Sequence, residues 1–382
     1  MVHRLFCLAA LLVLMLPALI LTAAAQDRAA GLQIARTRAQ HLQHGINGSE
    51  WFAQAGDYSA ARTDRYTDAA DIGLIAKLGF DSVRLSIDAA PLEQSPRGAD
   101  GLNADFVGRL DTAVDTMLAD GLAVEIDLHP QENYKLQVRT SNDAVERLVM
   151  LWRKLAAHYA SRDPERVFFE VMNEPEVNDA YRWAGIQARV AAAIREVAPR
   201  HTVIATGPNY SDIADLLAMH PLADGNVIYN FHFYDPHEFT HQGAGWGVPW
   251  WSYEHGIPYP ATEGSMQELL KEVPDPADRF HLENYWLDHW DAHRIRLLID
   301  EAAAWAHAND VPLICNEFGA FREHMDEVSR MNWIHDVRTA LEADGIGWTM
   351  WDYRGSFGVV RKQDGQPAQV DAKVVEALGL KR

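Results

Sequence analysis

A single-domain (β/α)8 TIM barrel is the fold that this chain of 382 residues predicts. Three observations point to it. Short apolar runs alternate with helix-like stretches eight times along the chain. Those runs are nearly continuous in apolar residues, as in parallel strands covered on both faces. Polar, chemistry-bearing residues collect where the runs stop, which is the end of a barrel where active sites are built. No glycine-rich phosphate fingerprint follows the first run, which counts against a doubly wound dinucleotide fold.

In order, the strand candidates are His44–Asn47, Ser82–Asp88, Ala123–His129, Val167–Asn173, His201–Thr206, Asn226–Tyr234, Pro312–Glu317 and Gly345–Trp351. The helical stretches are Asp68–Leu78, Ala104–Asp120, Asn142–Arg162, Tyr181–Val197, Ser211–Met219, Arg294–Asn309, Asp326–Asp344 and Ala372–Leu380. In Asn142–Arg162 the residues Val145, Leu148, Val149, Trp152, Leu155, Ala156 and Tyr159 form one apolar stripe, with Ser141 or Asn142 as the cap. The segment from Asp235 to Trp290, after strand six, is too long for an ordinary connection and is rich in aromatics: Phe239, Trp246, Trp250, Trp251, Tyr253 and Tyr259. Loops of that length in a compact domain are usually functional.

Residues 1–25 read as an export signal: Arg4, an apolar run from Leu5 to Ile20, then Ala23, Ala24 and Ala25 before Gln26. The expected destination is the periplasm or the exterior; an uncleaved membrane anchor is the alternative. A polar lead-in over 26–40 then precedes one catalytic domain over 41–382, expected to be a monomer. Cys7 leaves with the signal, so Cys315 has no internal disulfide partner, and it reads as a small apolar strand residue rather than a nucleophile. The formal charge of -20 disfavours nucleic acid, anionic lipid or an anionic polysaccharide as partner and favours a neutral ligand.

Two of the runs, the fourth and the seventh, deliver an Asn-Glu pair at their ends: Asn173-Glu174 and Asn316-Glu317. Carboxylates facing a common cleft can divide the roles of acid and nucleophile in glycoside cleavage. Arg84 sits within strand two, and His129, His232, Tyr234 and Trp351 sit at or near other strand ends. Taken singly, each has a plain structural explanation, such as an ion pair, a cap or a core position. Together they would have to be independent accidents at equivalent ends.

The stretches Val83-Arg84-Leu85, Asp127-Leu128-His129-Pro130, Met172-Asn173-Glu174-Pro175, Phe231-His232-Phe233-Tyr234, Asn316-Glu317-Phe318-Gly319 and Trp348-Thr349-Met350-Trp351 resemble glycoside hydrolase family 5, in the family's order, from about residue 41 to 360. That resemblance implies a retaining β-glycanase. Glu174 would be the acid/base, with a raised pKa, and Glu317 the ionised nucleophile held by Arg84 and Tyr234. Asn173 would bond the sugar 2-hydroxyl, His232 would orient or tune Glu174, His129 would line the reactive subsite, and Trp351 would stack on the sugar. Neither a cofactor nor a metal is implied.

The expected substrate is a β-glucan, most simply through endo-β-1,4-glucanase (cellulase) action. β-Mannanase, exo-β-1,3-glucanase and transglycosylase activities are the alternatives. Trp246, Trp250, Trp251 and Tyr253 in the long loop are candidate stacking residues, as is Trp51, with Asn47 and Glu50 beside it at outer subsites. A metallohydrolase lacks its His-x-His pair on the first strand, and His237, His241 and His255 show no compelling ligand spacing. A non-catalytic carbohydrate-binding barrel is the remaining class, and retention of both glutamates opposes it.

Overall fold

The computed structural model describes residues 26–273 and 275–381. The signal reading concerns residues 1–25, outside the described residues. Among the described residues, no helix is long and apolar enough to cross a membrane.

Eight parallel strands close into a barrel: β1 (His44–Asn47), β2 (Ser82–Ile87), β3 (Ala123–Leu128), β4 (Val167–Glu170), β5 (Thr202–Ala205), β6 (Val227–Phe233), β7 (Leu313–Phe318) and β8 (Gly347–Met350). Closure comes from β8 pairing with β1, His44 opposite Trp348. Alternation sends one set of side chains inward and the other to the helices. Among the outward set is Leu85, in one apolar core with the helix residues Leu110 and Val114. In helix Asn142–Tyr159 every residue of the expected stripe is buried, and Ser141 Oγ accepts from the Ala144 amide at its start. Trp152 ties that helix to the sheet by donating from Nε1 to the Val171 carbonyl, 2.7 Å.

The lead-in over 26–40 is a helix over 26–39 that lies across the closed, N-terminal end of the barrel. Its Ala35 and Ala39, with Leu42, pack on a lower interior layer of Ala123, Phe168, Ile204, Ile228 and Ile314. Contact there is backbone-close: a Cβ on Gly225 would sit 2.0 Å from the Arg28 carbonyl oxygen.

Several strands end earlier than the sequence implies, because the ladder thins where the chain turns toward the mouth. β3 stops at Leu128, β4 at Glu170, β6 at Phe233 and β8 at Met350. The backbone still pairs beyond those points: His129 donates to the Ile87 carbonyl, Asn173 to Leu128 and Trp351 to Phe318. The segment from Asp235 to Trp290 is not a loop. It folds as a short helix His237–Thr240, a 3-10 turn Pro249–Tyr253 and helices Glu263–Glu272 and Pro276–Leu287. A capping box at Thr262 and Ser265, which apolar spacing does not reveal, starts the third of these. A small hairpin, β9 (Val360–Arg361) with β10 (Gln369–Val370), was also not expected.

Candidate active site

Arg84 is the hub of the open end. As an inward residue of β2 it is fully buried, and each of its five N–H donors has an acceptor. Nε donates to Glu170 Oε2 (2.6 Å), while Nη2 donates to Glu170 Oε1 (2.9 Å) and Asn173 Oδ1 (2.9 Å). Nη1 donates to Asn47 Oδ1 (3.0 Å) and Glu317 Oε1 (2.5 Å). Burial alone would lower its pKa, but Asp127, Glu170 and Glu317 raise it well above the ordinary value.

A register shift in β7 places Glu317. Phe231 pairs with Cys315, yet His232 pairs with Glu317, so a bulge at Asn316 interrupts the alternation. Asn316 and Glu317 consequently both reach barrel groups, while Cys315 belongs to the core around the barrel. Simple alternation would place Cys315 and Glu317 on one side of the sheet, and the bulge overturns that. The buried thiol is pushed far up by desolvation and is no nucleophile. The second oxygen of Glu317, Oε2, accepts from the Tyr234 hydroxyl at 2.9 Å.

Glu174 follows β4 with φ 38, a left-handed conformation uncommon for glutamate. Its Oε1 accepts from His232 Nδ1 at 2.9 Å, and the same nitrogen lies 3.6 Å from Glu317 Oε2. Ligand-type atoms of Glu174, His232 and Glu317 all lie within 4.8 Å of one another. Both Glu317 oxygens are already bonded to Arg84 and Tyr234, so this trio fits a carboxylate pair better than an open metal site.

The expectation of a raised Glu174 pKa is reversed. Burial raises it, but the bond to His232 and the histidine's charge outweigh burial and hold it at about 2. His232 is raised in turn: burial lowers it, and Glu317 and Glu174 together overcome that. The carboxylate and the imidazole N–H thus share one hydrogen bond that favours the charged form of each.

His129 and Asn173 are fixed by a relay. His129 Nδ1 donates to Asp127 Oδ2 (2.9 Å), and its Nε2 accepts from Asn173 Nδ2 (3.1 Å). Burial holds the imidazole neutral, with a pKa of about 3, which matches those roles. The Asn173 amide is thus oriented from both ends, by Arg84 and by His129. Trp351 is half-buried, stacked near His129 at 5.8 Å between centroids, and packs with Tyr234, Trp251, Phe321 and Phe357 along one wall.

The remaining aromatic candidates divide. Trp246 stands half-exposed, edge-on to Phe321 at 4.8 Å. Trp251 stacks on His237 (5.6 Å) and His241 (4.4 Å), bracing the wall. Trp250 stacks instead on His281 of helix Pro276–Leu287. Trp51 is buried and donates from Nε1 to the Thr63 carbonyl, so it offers no face for a sugar. Asn47 is not at an outer subsite either; it is buried beside Arg84. Glu50 accepts from the Tyr66 hydroxyl.

Sequence reasoning missed Asp127 and Glu170, which position His129 and Arg84, and the asparagines Asn230 and Asn316, which donate to Glu170. A signal was present: Glu125, Asp127 and Glu170 are acids inside apolar runs at inward positions.

The family model for cellulase (glycosyl hydrolase family 5) matches residues 43–356. Endoglucanase C of Acetivibrio thermocellus is 28% identical over 344 residues, 88% of this chain and 98% of the relative. Cellodextrinase A of Ruminococcus flavefaciens is 33% identical over 214 residues, 53% of this chain and 61% of the relative. A solved endoglucanase superposes with a TM-score of 0.71 at 26% identity, covering 91% of this chain and 99% of that one. A hyperthermophilic endo-β-1,4-glucanase solved with substrate also gives 0.71, at 25% identity, covering 90% of this chain and 98% of that one. With the barrel, the match across its whole length and a carboxylate pair at its open end, this chain belongs to glycoside hydrolase family 5 and is a glycoside hydrolase.

Proposed function

We propose that this chain is an exported endo-β-1,4-glucanase that cleaves with retention, Glu317 acting as nucleophile and Glu174 as acid/base. The observation that carries this reading is the carboxylate pair with different partners: Arg84 and Tyr234 on Glu317, His232 on Glu174. The first pair of donors keeps a nucleophile ionised; the second holds a proton to give.

Glu317 attacks the anomeric carbon as the glycosidic C–O bond breaks. The leaving oxygen takes a proton through Glu174, to which His232 passes its own along their hydrogen bond, so that Glu174 is left ionised and the imidazole neutral. Water then attacks the glycosyl–Glu317 ester, losing its proton to Glu174, and the Glu317 carboxylate departs. The atoms within 4.8 Å agree with the spacing of about 5–5.5 Å that retention requires. Asn173, held by two partners, presents its amide to the sugar 2-hydroxyl, and Trp351 offers a ring face.

The substrate assignment is supported by the relatives' endoglucanase names and by a net charge suited to a neutral glycan. Action on short cellodextrins is a second reading, favoured by the aromatic wall and helical layer built by the insertion after β6. Product profiling on carboxymethylcellulose, mixed-linkage glucan, mannan and cellodextrins tests both. Endo action gives a spread of oligosaccharides with β-anomers formed first; uniform inactivity on the glucans overturns the reading. Glu317→Gln should lose activity by about 10⁴-fold or more.

A further inference from the structure

Below the cleft, the barrel holds an acid that the mechanism above does not use. Glu125 lies in the middle of β3 and is fully buried, between Ala123 of the apolar lower layer and Asp127 under His129. Glu170 and the Asn230 and Asn316 amides share this level of the interior, and the Asn316 amide lies against Glu125.

Hydrogen bonding at this level is lopsided. Glu170 accepts four donors: two from Arg84, one from Asn230 Nδ2 (2.9 Å) and one from Asn316 Nδ2 (3.0 Å). It is therefore an ionised carboxylate. With their NH2 ends spent on Glu170, Asn230 and Asn316 each leave an amide oxygen with no partner among the described residues. Neither oxygen of Glu125 has a hydrogen-bond partner there either. Every donor of Arg84 is committed elsewhere.

This level thus holds spare acceptors and lacks a donor. An ionised Glu125 would be a second buried negative charge beside Glu170 with only the adjacent Asn316 amide to favour it, which is strongly unfavourable. A neutral carboxylic acid removes that charge and supplies an O–H. Burial, reinforced by the Glu170 charge and only partly opposed by Arg84 and the Asn316 amide, lifts the carboxyl to about 8.

We propose that Glu125 is a positioning residue that works as a neutral acid: its O–H donates to the Asn316 amide oxygen and so turns Asn316 Nδ2 toward Glu170. Glu170 then holds one edge of the Arg84 guanidinium, which leaves Nη1 aimed at Glu317. The chain of contacts runs from Glu125 through Asn316, Glu170 and Arg84 to the nucleophile, and it rests on the reading of Glu317 given above. The bulge in β7 gives it a second route, because Asn316 and Glu317 are consecutive residues of one distorted turn of strand.

Two variants of the full chain test this, Glu125→Gln and Glu125→Met. Glutamine keeps the shape and a donor; methionine keeps the bulk and has none. At pH 6, Glu125→Gln should keep kcat within about twofold, and Glu125→Met should lose about tenfold or more in kcat with KM within about twofold. An unchanged kcat in the methionine variant overturns the positioning role, as does a loss in glutamine equal to that in methionine.

The protonation state is read separately, by the melting temperature of wild type and Glu125→Gln from pH 5 to 9. A carboxyl raised from 4.5 to about 8 loses stabilising protonation as pH rises between those values. The Tm advantage of Glu125→Gln over wild type should therefore grow by several degrees between pH 5 and 8, then level off. A difference that does not vary with pH means Glu125 is ionised throughout and sinks the proposal. This arm needs no activity, so it stands even if the nucleophile is assigned wrongly or the methionine variant fails to fold.

Discussion

Each oxygen of Glu317 has its own donor, one a cation and one a phenol, while Glu174 faces a histidine. Replacing Arg84 by lysine keeps a charge but loses the planar fork that serves five acceptors. The Arg84→Lys variant should lose kcat by about 100-fold or more, and about 3–5 kcal/mol of stability, because the buried Glu170 loses the paired N–H donors of Arg84. Urea unfolding and steady-state kinetics read both, and a variant within twofold of wild type would refute the hub assignment. His232 is the second informative residue. In the proposed mechanism, the proton for the leaving group is lost as pH rises through the raised His232 pKa. In His232→Gln it resides on Glu174 alone, an acid whose ordinary value of 4.5 burial raises and the Lys135 charge lowers. The basic limb of kcat/KM should move to lower pH, with kcat down about tenfold at the optimum. A limb that stays in place, or moves up, contradicts the shared proton.

At the level of elements, the two ends of the barrel have separate duties. The lower layer of Phe168, Ile204, Ile228 and Ile314, closed by the helix over 26–39, has no chemistry. Truncating Ile228 to alanine there should cost about 2–5 kcal/mol from lost burial and the cavity left behind. Because Asn230 and His232 lie one and two inward steps further along β6, kcat below the melting transition should hardly change. A large loss of kcat with normal stability would mean the lower layer helps set the site. The β7 bulge shows why element detail matters: one extra residue turns a two-residue period into a pair of consecutive inward groups. The insertion after β6 likewise replaces an expected loop with a helical layer whose Trp251, His237 and His241 stack behind the cleft wall.

For the whole molecule, opposing buried groups shape the pH profile of stability. Asp215 and Asp352 are raised to about 6 and Glu125 to about 8, so each contributes stability that is lost as pH rises through those values. His129 and His241, lowered to about 3, and His201, lowered to about 4, contribute stability that is lost as pH falls from 6.5 toward those values. Between about pH 4.5 and 6.5 the two sets pull against each other. Below about 4 the histidines still lose, and Glu174, held at about 2, joins them. The melting temperature should be nearly level from about pH 4.5 to 6.5 and drop steeply below 4. Scanning calorimetry across pH 3–8 checks this, and a continuous rise in Tm down to pH 3 would contradict it.

The barrel, its strand order and the placing of Glu174 and Glu317 where strands four and seven run out are legible in the amino-acid pattern. Period and apolar content mark strands wherever they occur, and acids at their ends are visible as breaks in the pattern. His129, Asn173, His232, Tyr234 and Trp351 are legible at or just beyond strand ends for the same reason, and Arg84 as a charge inside the second apolar run. Which groups share a wall or a hydrogen bond emerges only in the closed barrel. Trp51 and Trp246 look alike in sequence, yet one is sealed in the core and the other is half-exposed on Phe321. Asp127, Glu170 and Asn316 gain meaning from strands far apart in the chain, and the proton of Glu174 from a histidine 58 residues away. Local patterning cannot encode those distances, because they are fixed only when the barrel closes and its interior loses water.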